Sequence, residues 1–227
     1  MTIPGRRAHM VLRFILFNLG FLVMYAATPL RAETPLRIVA FGDSLTAGYL
    51  LPPAASFPAQ LEKALKAKGH NVNVINAGVS GDTTAAGLER FDWAFGEAFD
   101  AAIVELGAND ALRGLPPAEA RRNLDEILTR LAQKGAPVLL AGMAAPRNWG
   151  PDYVKEFDAI FPALAQKHDA LLYPFFLDGV AMDGSLNLQD GLHPNERGVA
   201  QIVTRILPKV EALIERAKAK RAAVSRT

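Results

Sequence analysis

Cysteine is absent from the 227 residues. That removes disulfide frameworks, thiolate zinc sites, iron–sulfur clusters, cysteine nucleophiles and a lipid-anchored cysteine together. Histidine is scarce, with four in the chain, so a base of that type has few places to be. The phosphate-binding pattern Gly-x-x-x-x-Gly-Lys-[Ser/Thr], the dinucleotide turn Gly-x-Gly-x-x-Gly and the zinc pair His-Glu-x-x-His do not occur. Neither does the Gly-x-Ser-x-Gly elbow of α/β-hydrolases. Asp178, Asp183 and Asp190 cluster but miss the calcium-loop spacing, and the first two read as solvated loop acids. No internal repeat or low-complexity linker divides the chain. What remains is 50% apolar and 21% charged, enough to bury one core and too balanced for a disordered chain.

No apolar run reaches the roughly 20 residues of a comfortable membrane span. The longest, Phe14 to Ala27, follows Arg6, Arg7 and Arg13 and suits a secretory leader. Leu30-Arg31-Ala32 is the expected cleavage site, with Ala27 as a second choice and an uncleaved anchor as the alternative. The expected organisation is a leader over 1–32 and one domain over 33–227, periplasmic or secreted. Removing the leader takes four arginines and no acid, so 21 basic residues face 23 acids and the remainder carries −2. That charge argues against nucleic acid as a partner. Membrane contact is expected only through the leader or a lipid substrate, for a monomer or weak oligomer.

Beyond the leader, short β-rich runs alternate with helical spacing. Strands are expected at Leu36–Phe41, Val72–Ile75, Ala102–Leu106, Val138–Ala141 and Leu171–Phe176. Helices are expected over Phe57–Lys68, Thr83–Phe95, Pro117–Gln133, Tyr153–Lys167 and from Pro194 to about Ala217, with Lys218–Thr227 a frayed end. Five such repeats make an α/β, doubly wound, flavodoxin-like domain with a five-stranded parallel sheet between helical layers.

In that architecture the chemistry lies beyond the carboxyl ends of the strands. Four segments deliver polar residues there: Gly42-Asp43-Ser44-Leu45, Gly78-Val79-Ser80-Gly81-Asp82, Gly107-Ala108-Asn109-Asp110 and Asp190-Gly191-Leu192-His193-Pro194. Ser44 stands at a strand-to-helix turn, as a nucleophile would, but serine needs a base. His70 and His168 read as surface residues at helix ends. His193 lies on the strand-end side, with Asp190 three residues earlier and able to orient its ring. The plainer reading makes Asp190-Gly191 a turn and His193-Pro194 a helix start. Acyl transfer also needs donors for the developing oxyanion. The Ser44 and Gly81 N–H groups and the Asn109 amide are candidates, against the plainer reading of a loop glycine and a helix cap.

These four segments resemble, in order and spacing, the motif blocks of the SGNH, or GDSL, hydrolase family. Longer stretches such as Gly42-Asp43-Ser44-Leu45-Thr46-Ala47-Gly48-Tyr49 and Val104-Glu105-Leu106-Gly107-Ala108-Asn109-Asp110 are similar to its bacterial arylesterase and thioesterase/lysophospholipase branch. The resemblance implies Ser44 as nucleophile, His193 as base and Asp190 as its orienter, with Ser44, Gly81 and Asn109 as oxyanion donors. It implies a serine esterase acting on aryl, acyl-glycerol or lysophospholipid esters and on thioesters, with no metal or organic cofactor. Ala108 stands where many relatives carry glycine. Apolar residues near the site, Leu112, Leu115, Met143 and Trp149 with Leu50, Leu51 and Tyr153, are expected either to line an acyl groove or to anchor loops. The alternatives are a carbohydrate or peptidoglycan O-deacetylase on the same scaffold and a non-catalytic envelope binding protein.

Overall fold

The computed structural model describes residues 34–226; the expected leader over residues 1–32 lies outside the described residues. Five runs of β-branched and aliphatic residues form the strands β1 (Leu36–Gly42), β2 (Val72–Gly78), β3 (Ala101–Glu105), β4 (Val138–Ala141) and β5 (Leu171–Tyr173). Every β3 and β4 residue is buried, because helices cover both faces of a parallel sheet. All pairings are parallel, in the order β2-β1-β3-β4-β5. This is the doubly wound order whose direction reverses between β1 and β3.

Nine helices connect or follow the strands among the described residues. They are α1 (Ser44–Ala47), α2 (Phe57–Ala67), α3 (Thr84–Glu89), α4 (Phe91–Ala94), α5 (Ala108–Leu112), α6 (Pro117–Gln133), α7 (Pro151–Asp158), α8 (Ile160–Lys167) and α9 (Glu196–Val224). Helices α2 and α9 pack together on one face and α3, α6, α7 and α8 on the other, as right-handed crossovers in a parallel sheet require. Phenylalanines close the gaps between helices and sheet. Phe95 touches Phe41 and Phe91 at ring-centroid separations of 5.1 and 4.7 Å, and Phe57 meets Phe176 edge-on at 5.0 Å.

Five of the departures from the sequence expectation have a local reason. The helix expected over Thr83–Phe95 divides at Arg90, which takes φ −95° and ψ 12° while its side chain reaches back to the strand ends. The helix expected over Tyr153–Lys167 divides at Ala159, because Pro162 has no N–H to offer the Asp158 carbonyl. β5 stops at Tyr173 because Pro174 cannot donate to a ladder. The last helix opens at Glu196, not Pro194. Asn195 caps it by accepting from the Arg197 and Gly198 N–H groups, both at 3.0 Å, while Pro194 bridges to Asn187. At its far end Lys218–Val224 stays helical rather than fraying. Alanine, lysine and arginine favour helix there, and Arg221 holds Asp100 at 2.6 Å.

Candidate active site

Ser44 begins α1 just past the carboxyl end of β1, beside the point where strand order reverses. Asp43 caps that helix, its Oδ1 accepting the Leu45 N–H at 3.0 Å. Gly42 is dictated by close approach. A Cβ on it would stand 2.1 Å from Thr46 Oγ1 and 2.6 Å from both Glu105 O and Glu105 Oε2. Ser44 is 8% exposed, and its Oγ lies 2.9 Å from His193 Nε2. His193 Nδ1 lies 2.7 Å from Asp190 Oδ2. The other Asp190 oxygen accepts the Leu192 and His193 N–H groups at 2.9 and 3.0 Å. Those backbone donors, then the imidazole, hold the Asp190 carboxyl down to about 2. A carboxylate, an imidazole and a hydroxyl therefore stand in line. The Tyr49 ring, 4.5 Å from the imidazole centroid, flanks it.

Gly81 takes φ +88°, where a side chain would be strained, and its carbonyl accepts from Arg113 at 2.9 Å. Asn109, in α5, points its Nδ2 at the Asp82 carbonyl, 2.9 Å, and at Asp43 Oδ2, 3.2 Å. The Ser44, Gly81 and Asn109 segments thus meet at the same sheet edge as His193. His70 and His168 do not. They precede β2 and β5 at the amino edge and bond Glu211 (3.1 Å) and Asp125 (2.6 Å). A cleft of about 560 Å³ at that amino edge, lined by Ala136, Pro137, His168 and Arg216, contains none of the four polar segments.

The apolar candidates separate by burial. Met143 is a correction: at 4% exposed it belongs to the core and offers no groove wall. Leu112 is exposed and Leu115 half-buried. Trp149 donates its Nε1–H to the Ala111 carbonyl and Tyr153 its hydroxyl to the Leu115 carbonyl, both at 2.8 Å, so the two rings pin the end of α5, which carries Leu112, and the turn after it. Leu50 and Leu192, next to Tyr49 and His193, are exposed. Asp178 pairs with Arg205, and Asp183 caps Ser185, as surface acids do.

Sequence reasoning passed over the buried acids beneath Ser44. Glu105, fully buried at the end of β3, accepts the Thr46 hydroxyl at 2.7 Å while its Oε1 has no partner. A lone acid ending the run Ala-Ala-Ile-Val-Glu was a readable signal. Burial, then the neighbouring Asp43 carboxylate, raises the Glu105 carboxyl well above its ordinary range. Burial likewise pushes Asp43 up to about 6, against the opposing hydrogen bonds from Leu45 and Asn109. The unfolded chain releases these protons at ordinary carboxyl pH and the folded chain holds them higher. Folding stability therefore falls as pH climbs between the two values. Glu105→Gln removes the Glu105 share of this loss. Its melting temperature is expected to gain on wild type as pH rises from about 5 to about 8. Parallel thermal melts across that range check it, and a constant offset between the two proteins would contradict a buried, protonated Glu105.

Residues 40–201 match the model of the GDSL-like Lipase/Acylhydrolase family. The chain is 36% identical over 192 residues to the arylesterase of Vibrio mimicus, covering 83% of this chain and 96% of that one. It is 34% identical over 199 residues to thioesterase 1/protease 1/lysophospholipase L1 of Escherichia coli, covering 87% and 94%. Among solved structures, AlinE4, an SGNH-hydrolase family esterase, is similar at 51% identity and a TM-score of 0.68, over 79% of this chain and 97% of AlinE4.

Proposed function

The chain belongs to the GDSL-like lipase/acylhydrolase family, and from that premise we propose that it is a carboxylic ester hydrolase working through an acyl-enzyme on Ser44. The observation that carries this reading is the continuous line from Asp190 Oδ2 through His193 to Ser44 Oγ, at 2.7 and 2.9 Å. His193 Nε2 takes the hydroxyl proton as Ser44 Oγ attacks the ester carbonyl, and returns it to the departing alcohol or thiol. Asp190, an anion at any pH above its value of about 2, keeps the Nδ1 proton in place and stabilises the imidazolium. The Ser44 and Gly81 N–H groups and the Asn109 amide receive the oxyanion. His193 Nε2 then takes a proton from water as it attacks the acyl-enzyme, and returns that proton to Ser44 Oγ as the acid departs.

The substrates are aryl and acyl-glycerol or lysophospholipid esters, with thioesters as a further capability, by analogy with the named relatives. Leu50, Leu112 and Leu192, exposed around the site, supply apolar contact for an acyl chain, and this favours longer acyl groups over a polar acetylated sugar. Residues 1–32 act as an export leader that delivers the domain to the periplasm, a reading supported by the arginines ahead of Phe14–Ala27. Among the described residues no helix is long and apolar enough to cross a membrane.

The test is turnover of p-nitrophenyl esters of graded chain length, with mapping of a fluorophosphonate adduct. The expected result is hydrolysis extending beyond acetate and a single adduct on the Ser44 peptide. An adduct on another residue, or no turnover of any ester, would overturn the assignment.

A further inference from the structure

We propose that Arg90 is the positioning residue of the oxyanion hole, holding its three donors in register from behind without touching substrate; the inference rests on the ester-hydrolase reading above. Arg90 sits in the break between α3 and α4, its side chain 15% exposed. Its guanidinium makes three directed bonds: Nη2–H to the Gly42 carbonyl at 2.8 Å, Nη1–H to the Ala77 carbonyl at 2.9 Å, and Nε–H to Asp82 Oδ2. The guanidinium carbon also lies 4.3 Å above the Phe41 ring, so the group is clamped between an aromatic face and three acceptors.

Each acceptor belongs to a segment that carries a donor. Gly42 lies two residues before Ser44, at the end of β1. Asp82 follows Gly81 directly, and its carbonyl receives the Asn109 Nδ2–H at 2.9 Å. The Gly42 carbonyl also accepts the Val79 N–H at 3.0 Å, and the Val79 carbonyl in turn accepts the Asp82 N–H at 3.2 Å. Arg90 thus fixes both ends of the loop between Ala77 and Asp82 and ties that loop to the nucleophile strand. Without it, the Gly81 N–H and the amide that hangs from the Asp82 carbonyl are free to drift relative to the Ser44 N–H. A planar fork holds its donors apart in fixed directions toward acceptors on three sides, whereas the three donors of an ammonium radiate from one nitrogen on a flexible stem. Donors displaced by even about 1 Å from the developing charge lose on the order of a hundredfold in rate.

Two variants test this. Arg90→Lys keeps the charge, and Arg90→Met keeps an unbranched stem over Phe41; both are normalised per site titrated with a fluorophosphonate, so misfolded protein is not counted. The expected result is a fall in kcat on p-nitrophenyl esters of about ten- to a hundredfold, with KM within about threefold of wild type. Affinity for an alkyl boronic acid, whose tetrahedral adduct on serine places an oxygen where the oxyanion forms, should weaken by the same factor as kcat. Wild-type kcat per titrated site in Arg90→Lys would overturn the proposal. So would a fall in kcat with boronate affinity unchanged, since that assigns Arg90 a merely structural role. Failure of the ester-hydrolase reading looks different, because there the wild type itself would turn over no ester.

Discussion

Ser44→Ala is expected to abolish catalysis, lowering kcat by about a millionfold, the loss typical when a triad nucleophile is removed, while the fold and KM-level substrate affinity persist. The side chain that disappears makes one recorded hydrogen bond, to His193, and the helix it opens is capped by Asp43 and not by the hydroxyl. Nothing else in the site therefore has to move. The residual rate should be that of water in a site that still presents its oxyanion donors, still above the uncatalysed reaction. Steady-state hydrolysis of a p-nitrophenyl ester, with circular dichroism to follow folding, measures it. A loss of less than about tenfold would place the nucleophile elsewhere.

Asp190→Asn should be the second most damaging change, costing about a thousand- to ten-thousandfold in kcat with KM little altered. The reason is the division of labour between the two carboxylate oxygens. One accepts the Leu192 and His193 N–H groups and the other faces His193 Nδ1. An asparagine can meet both backbone donors only with its single carbonyl oxygen, which turns its NH₂ toward Nδ1. The ring then carries its proton on Nε2, the atom that must accept from Ser44. The imidazole stays in place in the wrong tautomer. Kinetics on the variant beside wild type decide it, and a loss under about tenfold would mean that Asp190 serves only the turn. Because the wild-type carboxyl sits at about 2, it stays ionised through any practical assay range.

The order of strands and the edge on which the chemistry gathers were legible in the sequence because parallel strands buried on both faces are short apolar runs with small residues at their ends. Val138–Ala141 is such a run, and its bounds agree in sequence and structure. The breaks inside two helices were less legible. Pro162 is visible, but the carbonyl it fails to serve is not, and Arg90 looks like any cation at a helix end. Its partners are two backbone carbonyls and one carboxylate, and a carbonyl has no letter of its own. Met143 shows the converse difficulty. An apolar residue just past a strand reads alike whether it faces the site or the core, and only packing chose the core.

The hydrogen bond between Ser44 and His193 joins residues 149 positions apart, with four of the five strands, β2 to β5, between them in the chain. Hydrolysis is consequently a late property of the polypeptide. A ribosome-bound fragment that ends before Asp190 has Ser44 but not His193, and a complete chain held extended has neither oriented. An ester hydrolase built in this way stays silent until its whole sheet has folded.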